Sequence, residues 1–257
     1  MSTYLGQNFL HDTKVQQYIA EKAALLCSYY DADTIIEIGP GKGAITKRIK
    51  NIATNFFVVE KDITMQSYLE KILTEKQIIF ADILAIDILS TIEHIQPEKT
   101  IVIGNLPYYI TSPILRKFFA CGKQIRIGGF FMIQKEVGDK IHSDAKKKSY
   151  LWWLLHHSYD VIYTKTVAAK CFRPAPKVQS CLIRIVPKKQ PWQIAFDHLL
   201  VFLDIFAPYS RKTMGKIAKM SGLAIVLDED VAKKRLEDCC IDDVIGIVTN
   251  NQQIFGS

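Results

Sequence analysis

The chain has no CxxC pair, no cysteine–histidine spacing that would complete a zinc set, and no apolar run near the roughly 20 residues that cross a bilayer. Its 6 cysteines (Cys27, Cys121, Cys171, Cys181, Cys239 and Cys240) are scattered, which argues against a disulfide scaffold. They read as reduced thiols of a cytoplasmic protein, the adjacent Cys239 and Cys240 included. Met1–Phe9 holds neither the apolar centre of a signal peptide nor an arginine-rich transit pattern, so no membrane partner is expected. The most apolar stretch, Leu199–Ala207, is broken by Asp204 and reads as one face of a soluble helix. No internal repeat of about 20–50 residues and no low-complexity tract is present. His142 and the His156–His157 pair lack partners at ligand spacing, so no metal is expected.

What is present is enough apolar residue, 49% of 257, for a substantial core in one large domain, or in one medium domain with a small appendage. The net charge of +7 suits a polyanionic partner without proving one. Short β-branched runs alternate with helical periodicity over the first two thirds. Strands are expected near Thr34–Gly39, Asn55–Glu60, Gln77–Asp82, Thr100–Leu106 and Ile125–Gln134, with helices starting near Gly43, Asp62, Ile83 and Ser112. Continuous apolar strands alternating with helices predict an α/β fold with a parallel sheet covered on both faces. Two further strands, near Asp160–Val167 and Ser180–Val186, are joined through Pro174 and Pro176 without a helix, which predicts an antiparallel pair. Five strand–helix units followed by such a hairpin is the pattern of a class I methyltransferase, a Rossmann-like parallel sheet with an antiparallel last strand. Pro187–Pro191 reads as a boundary, dividing a domain of residues 1–188 from one of 189–257. Beyond it the periodicity is helical throughout: Trp192–Phe206, Arg211–Met220, Asp228–Glu237 and Asp242–Asn250, with Asp228 and Asp242 as expected N-caps.

The first strand runs into Gly39-Pro40-Gly41-Lys42-Gly43. Glycines at a strand-to-helix turn let a ligand approach the backbone, although such a loop alone is weak evidence. Lys42 precedes a glycine rather than Ser or Thr, so this is not a phosphate-binding P-loop. Three acids sharpen the reading. Glu60 closes the second strand, where a carboxylate can accept both ribose hydroxyls of a nucleoside cofactor. Asp82 closes the third, placed for an adenine amine, and Glu37 precedes the glycines, where negative charge suits a sulfonium ligand. The alternative, a dinucleotide, wants a bare helix N-terminus for its pyrophosphate rather than this set of carboxylates. S-adenosylmethionine is therefore the expected cofactor.

The fourth strand ends in Gly104-Asn105-Leu106-Pro107-Tyr108, the most specific motif in the chain. An adenine N6 lone pair is delocalised into the ring, so the amine is a poor nucleophile. Acceptors on its two N–H groups shift it toward a reactive, pyramidal geometry. The Asn105 side-chain carbonyl and the Leu106 backbone carbonyl can be those acceptors, with Pro107 fixing the turn and Tyr108 stacking on the base. An adenine in structured RNA must leave its stack to reach a methyl donor. Phe172, in the proline-bracketed segment Cys171–Val178, is the candidate second face of a base sandwich, or else a loop aromatic covering the core.

Gly6-Gln7-Asn8-Phe9-Leu10, Glu37-Ile38-Gly39-Pro40-Gly41, Gly104–Tyr108, Gln134-Lys135-Glu136-Val137 and Phe172-x-Pro-x-Pro-Lys-Val178 occur in that order. Together they resemble the ribosomal RNA adenine N6,N6-dimethyltransferases over almost the whole chain. The best match is the bacterial small-subunit type, whose loss gives kasugamycin resistance. The resemblance implies dimethylation of two adjacent adenines in a hairpin loop near the 3′ end of small-subunit rRNA, within a pre-ribosomal small subunit and by a monomer. It implies that Asn8 and Leu10 close over the cofactor, and that Gly39, Gly41, Glu60, Asp82 and Asn105 line its site. It assigns Asn105, Leu106, Pro107 and Tyr108 to catalysis and Phe172 to the base sandwich. Ser210-Arg211-Lys212-Thr213 resembles a basic RNA-binding signature, with Ser210 where the family has a first arginine. Tyr109 stands where the family usually has Asn or His.

Lys146, Lys147 and Lys148 are candidate phosphate contacts, or an ordinary solvated loop; Trp152 and Trp153 beside them read as core. Lys212, Lys216 and Lys219 share a face if Arg211–Met220 is one helix, and with Arg211 would form a phosphate rail. Alternatives are a large-subunit methyltransferase of the erythromycin-resistance type, whose glycine loop also carries a lysine, and a non-catalytic RNA-binding assembly factor. A DNA adenine methyltransferase fits less well, because the C-terminal part is too small for reading duplex bases.

Overall fold

A computed structural model describes residues 8–92, 95–119 and 128–256 of the chain. Gly6, Gln7, Cys121, Arg126 and the expected start of a strand at Ile125 lie outside the described residues. Nine strands form: β1 (Phe9–Leu10), β2 (Thr34–Ile38), β3 (Asn55–Glu60), β4 (Ile78–Phe80), β5 (Thr100–Asn105), β6 (Gly128–Gln134), β7 (Tyr159–Val167), β8 (Phe172–Arg173) and β9 (Ser180–Pro187) among the described residues. The helices are α1 (Thr13–Tyr30), α2 (Thr46–Ile49), α3 (Gln66–Leu69), α4 (Ile88–Thr91), α5 (Thr111–Phe119), α6 (Lys135–Ile141), α7 (Tyr150–His156), α8 (Phe196–Phe206), α9 (Met214–Ser221), α10 (Glu229–Lys233), α11 (Ile241–Asn250) and α12 (Gln252–Phe255).

Seven strands make one sheet in the order β4-β3-β2-β5-β6-β9-β7. Strands β2 to β6 pair parallel, and β9 enters antiparallel between β6 and β7. This is the sheet expected from the sequence. The central strands are apolar at consecutive positions because both faces are covered. Ile35, Phe56, Val58, Ile101, Ile103, Phe130 and Met132 pack on one side with α1, α2 and α3. Ile36, Val59, Val102, Phe131 and Ile133 pack on the other with α5 and α7. The chain proceeds from β2 outward through β3 to β4, then returns to β5 on the opposite side of β2. That reversal opens a crevice at the carboxyl ends of β2 and β5, where ligands bind in open α/β sheets.

The first helix, α1, and the short β1–β8 pair are additions to the sequence reading. Asp12 caps α1 by accepting the Val15 amide at 3.0 Å, and Leu10 pairs with Phe172. Helix α7 joins two cores. Leu151 and Leu155, four apart, face the sheet, whereas Trp152, Trp153 and Leu154 enter a third cluster with α8, α9 and α11. The Trp152 ring stacks on His156 at 4.0 Å, and burial pushes the His156 pKa down to about 4, so this histidine is a neutral core group. Asp228 occupies the N-cap position of α10 as expected, but its side chain makes no capping hydrogen bond. Asp242 is not a cap: Cys240 holds that position in α11, exchanging hydrogen bonds with Asp243. Among the described residues no helix is long and apolar enough to cross a membrane, and no group of acids, cysteines and histidines could hold a metal.

Candidate active site

The crevice at the ends of β2 and β5 encloses about 300 Å³. Asn8, Leu10, Glu37, Gly39, Gly41, Glu60, Asp82, Asn105, Leu106, Pro107 and Tyr108 all border it, so the structure brings together every expected cofactor and catalytic residue but Phe172, from five separate segments.

The glycine loop owes its path to Gly39, Gly41 and Gly43, at φ +64°, +55° and +76°. L side chains rarely adopt this region, and at Gly41 a Cβ would also meet the Phe9 ring at 3.0 Å. Glu60, 4% exposed, clasps the loop from below. Its Oε2 accepts the Gly41 amide at 3.0 Å and its Oε1 the Asp62 amide at 2.8 Å. Burial raises the Glu60 pKa against the pull of those two amides. Asp82 accepts the Leu84 amide at 2.9 Å and an ion pair from Lys61 at 2.8 Å, and the Lys61 hydrogen bond holds its carboxyl below the usual range. Lys42 leans over the Phe9 and Tyr68 rings, 4.9 and 5.2 Å from their centroids.

Glu37 corrects an expectation. It borders the cavity, but it is fully buried and bound to the Thr46 hydroxyl at 2.7 Å. Burial pushes its pKa up to about 8, with Glu60 adding repulsion, so the carboxyl is mostly protonated at neutral pH rather than a standing charge.

Asn105 ends β5. Its Nδ2 donates to the Asn8 backbone carbonyl at 3.1 Å. A carbonyl can only accept, so this bond fixes the amide orientation and leaves Oδ1 as the acceptor that remains. The Leu106 amide bonds the Met132 carbonyl at 2.9 Å, and the Pro107 carbonyl accepts from the Thr111 hydroxyl at 3.1 Å, which pins both sides of the turn. The Tyr108 hydroxyl lies 2.7 Å from Ser180 Oγ, which anchors the ring. Burial raises the Tyr108 pKa, keeping the phenol neutral.

Phe172 is not brought to the cavity. It is 2% exposed, within the core under α1, because β8 pairs with β1 and directs the ring inward. The expected sandwich is therefore not formed in this structure.

The basic groups fall differently from the expectation. Helix α9 starts at Met214, after an extended Thr213 (φ −74°, ψ 154°), so Lys212 precedes the helix and does not share a face with Lys216 and Lys219. The reason is local: a turn containing Pro208 leads into a bond from the Lys212 amide to the Tyr209 carbonyl. Arg211, Lys216 and Lys219 are exposed. Lys147 pairs with Glu237 at 2.8 Å and Lys148 lies over the Trp152 ring at 5.5 Å, so both fasten their loop to neighbouring structure, while Lys146 is exposed.

Sequence reasoning missed Lys61, Thr46, Ser180 and the Asn8 carbonyl as partners. Thr46 and Lys61 carry no motif, and Ser180 reaches Tyr108 only once β9 has inserted beside β6.

Residues 1–238 match the ribosomal RNA adenine dimethylase family. The chain is 35% identical over 212 residues to the ribosomal RNA small subunit methyltransferase A of Prosthecochloris aestuarii, covering 82% of this chain and 78% of that protein. It is 34% identical over 237 residues to the protein of that name from Clostridium acetobutylicum, covering 90% and 83%. In fold it resembles a dimethyladenosine transferase from Plasmodium falciparum, with a TM-score of 0.75 at 19% identity over 96% of this chain and 98% of that one. A glycine loop clasped by Glu60, with the Asn105–Tyr108 turn across the same crevice, agrees with the matched segment, and the chain belongs to the ribosomal RNA adenine dimethylase family, enzymes that take methyl groups from S-adenosylmethionine.

Proposed function

We propose that this chain dimethylates N6 of two adjacent adenines in a hairpin loop near the 3′ end of small-subunit rRNA. The reading places it in ribosome biogenesis, acting as a cytoplasmic monomer on a pre-ribosomal small subunit. The observation that carries the reading is the Asn105 amide, oriented by the Asn8 carbonyl so that its oxygen is the free acceptor beside an anchored tyrosine.

S-adenosylmethionine supplies an electrophilic methyl group on a positively charged sulfur. The chain's residues fit that ligand: Gly39 and Gly41 present bare backbone, and a Cβ at Gly39 would meet nothing within 4 Å. Glu60 would take the ribose hydroxyls, Asp82 the adenine amine, and Glu37 would lie near the cationic end. Asn8 and Leu10 would cover the ligand. Asn105 Oδ1 and the Leu106 carbonyl accept from the target amine and aim its lone pair, while Tyr108 supports the base. Residues 1–188 form the methyl-transfer domain in this reading. Residues 189–257 dock RNA through Arg211, Lys212 and Lys216, with Lys146–Lys148 contributing at the junction.

Incubation with tritiated S-adenosylmethionine and isolated subunits from an unmethylated strain tests this. Label is expected on adenine N6 of small-subunit rRNA. Label confined to large subunits would establish the erythromycin-resistance type of activity, and absence of label on either would leave a binding factor.

A further inference from the structure

The catalytic turn carries two consecutive tyrosines that the fold treats in opposite ways. Tyr108 is half-buried and its hydroxyl is held by Ser180. Tyr109 borders the same cavity but is 62% exposed. Among the described residues its ring has no aromatic partner, although an aromatic face is normally covered. Lys61, largely exposed and paired with Asp82 at 2.8 Å, borders the same cavity, so the rim presents a bare ring near a cation–carboxylate pair. Proteins that hold single-stranded nucleic acid stack successive bases on exposed rings of this kind.

Drawing one base out of a stacked loop also uncovers a face of its neighbour. The strand must then leave the cavity across its rim. We propose that Tyr109 stacks on the base adjacent to the target adenine, holding the strand in register so that neighbouring adenines are presented in turn. This rests on the proposed reading that the substrate is a run of adenines in an RNA loop. The ring would act as a specificity residue rather than a catalytic one, because the atoms that face the amine belong to Asn105 and Leu106. The competing occupant is the cofactor's own adenine, since Lys61 and Asp82 lie on the same side.

The test uses the full chain with Tyr109→Ala and Tyr109→Phe, and undermethylated small subunits as substrate. Short hairpin RNAs with an abasic nucleotide beside the target adenine form a second substrate set. Loss of stacking in Tyr109→Ala is expected to raise KM about tenfold with kcat within about threefold, and Tyr109→Phe should keep the wild-type value. The abasic RNA should penalise the wild type similarly and Tyr109→Ala no further, the coupling expected of groups in contact. S-adenosylhomocysteine affinity should stay unchanged in both variants. A KM within about twofold of wild type in Tyr109→Ala would overturn the inference alone. So would a tenfold loss of S-adenosylhomocysteine affinity, which would assign the ring to the cofactor. A wild-type protein inactive on small subunits would overturn the substrate reading and this inference with it.

Discussion

Replacing Glu60 by glutamine keeps the side chain's shape and removes its charge and part of its accepting capacity. In the native site both carboxylate oxygens already accept backbone amides, Gly41 at 3.0 Å and Asp62 at 2.8 Å. Their remaining lone pairs are what a ribose diol would use. A glutamine has one oxygen, so its NH2 must face one of the two amides, donor against donor. One buried N–H then loses its acceptor, a cost of about 1–3 kcal/mol in general. Removing a buried charge offsets part of this, since burial already raises the Glu60 pKa, so the fold should lose only about 1 kcal/mol. The ligand loses more, because one ribose hydroxyl can no longer donate to a charged carboxylate oxygen and can only accept from a neutral NH2 group. Affinity should fall about 10- to 100-fold, equivalent to roughly 1.4–2.8 kcal/mol. Calorimetry with S-adenosylhomocysteine measures the binding, and urea unfolding measures the fold. Affinity within about threefold of wild type, together with a stability loss above about 2 kcal/mol, would show that Glu60 braces the loop and does not touch the ribose.

Asn105→Ala should retain the fold and RNA affinity and lower single-turnover methyl transfer by at least about 100-fold, and a rate within threefold would remove its oxygen from the mechanism. Glu37 is mostly protonated below its pKa of about 8, and a sulfonium cation favours the ionised form. S-adenosylmethionine affinity should therefore rise with pH from about 6 to 8 and level off above, while that of S-adenosylhomocysteine, which lacks the sulfonium charge, rises less; equal pH profiles for the two ligands would sink the assignment. Arg211→Ala with Lys216→Ala removes two exposed cations, so the salt dependence of subunit binding should flatten by about 1–2 in log–log slope, read by filter binding, with an unchanged slope moving the RNA surface elsewhere.

The strands and the cavity's glycines and acids were legible because their signals are local. A run such as Ile35–Ile38 is apolar at both parities, and Gly39–Gly43 sits where only glycine takes positive φ comfortably. Errors arose where tertiary contacts decide. Phe172 reads as a loop aromatic until its pairing with Leu10 turns the ring into the core. Lys212 reads as helical until Pro208 delays the start of α9. Glu37 reads as a charge, because sequence carries the carboxyl but not its burial. Lys147 reads as a free cation until Glu237, 90 residues away, closes on it.

The cavity's chemistry follows from which acceptors are already committed. Glu60 spends an oxygen on each of two amides, Asp82 is held by Lys61 and Leu84, and Glu37 accepts from the Thr46 hydroxyl while burial raises its pKa. None of these carboxyls is placed as a free base. Adenine methylation suits that condition, because the N6 proton becomes acidic only as the new bond forms and can then pass to water. The chain must instead supply an acceptor in a fixed orientation before transfer. Asn105 holds its orientation through Asn8, which sits on the segment expected to cover the cofactor. If that segment covers the cofactor as proposed, the same bond ties covering to orientation of the acceptor. An Asn105 amide released from Asn8 could present either its oxygen or its NH2 to the target amine, and only the oxygen would activate it. In the proposed reading, a segment that covers the methyl donor therefore also holds the acceptor in its reactive arrangement.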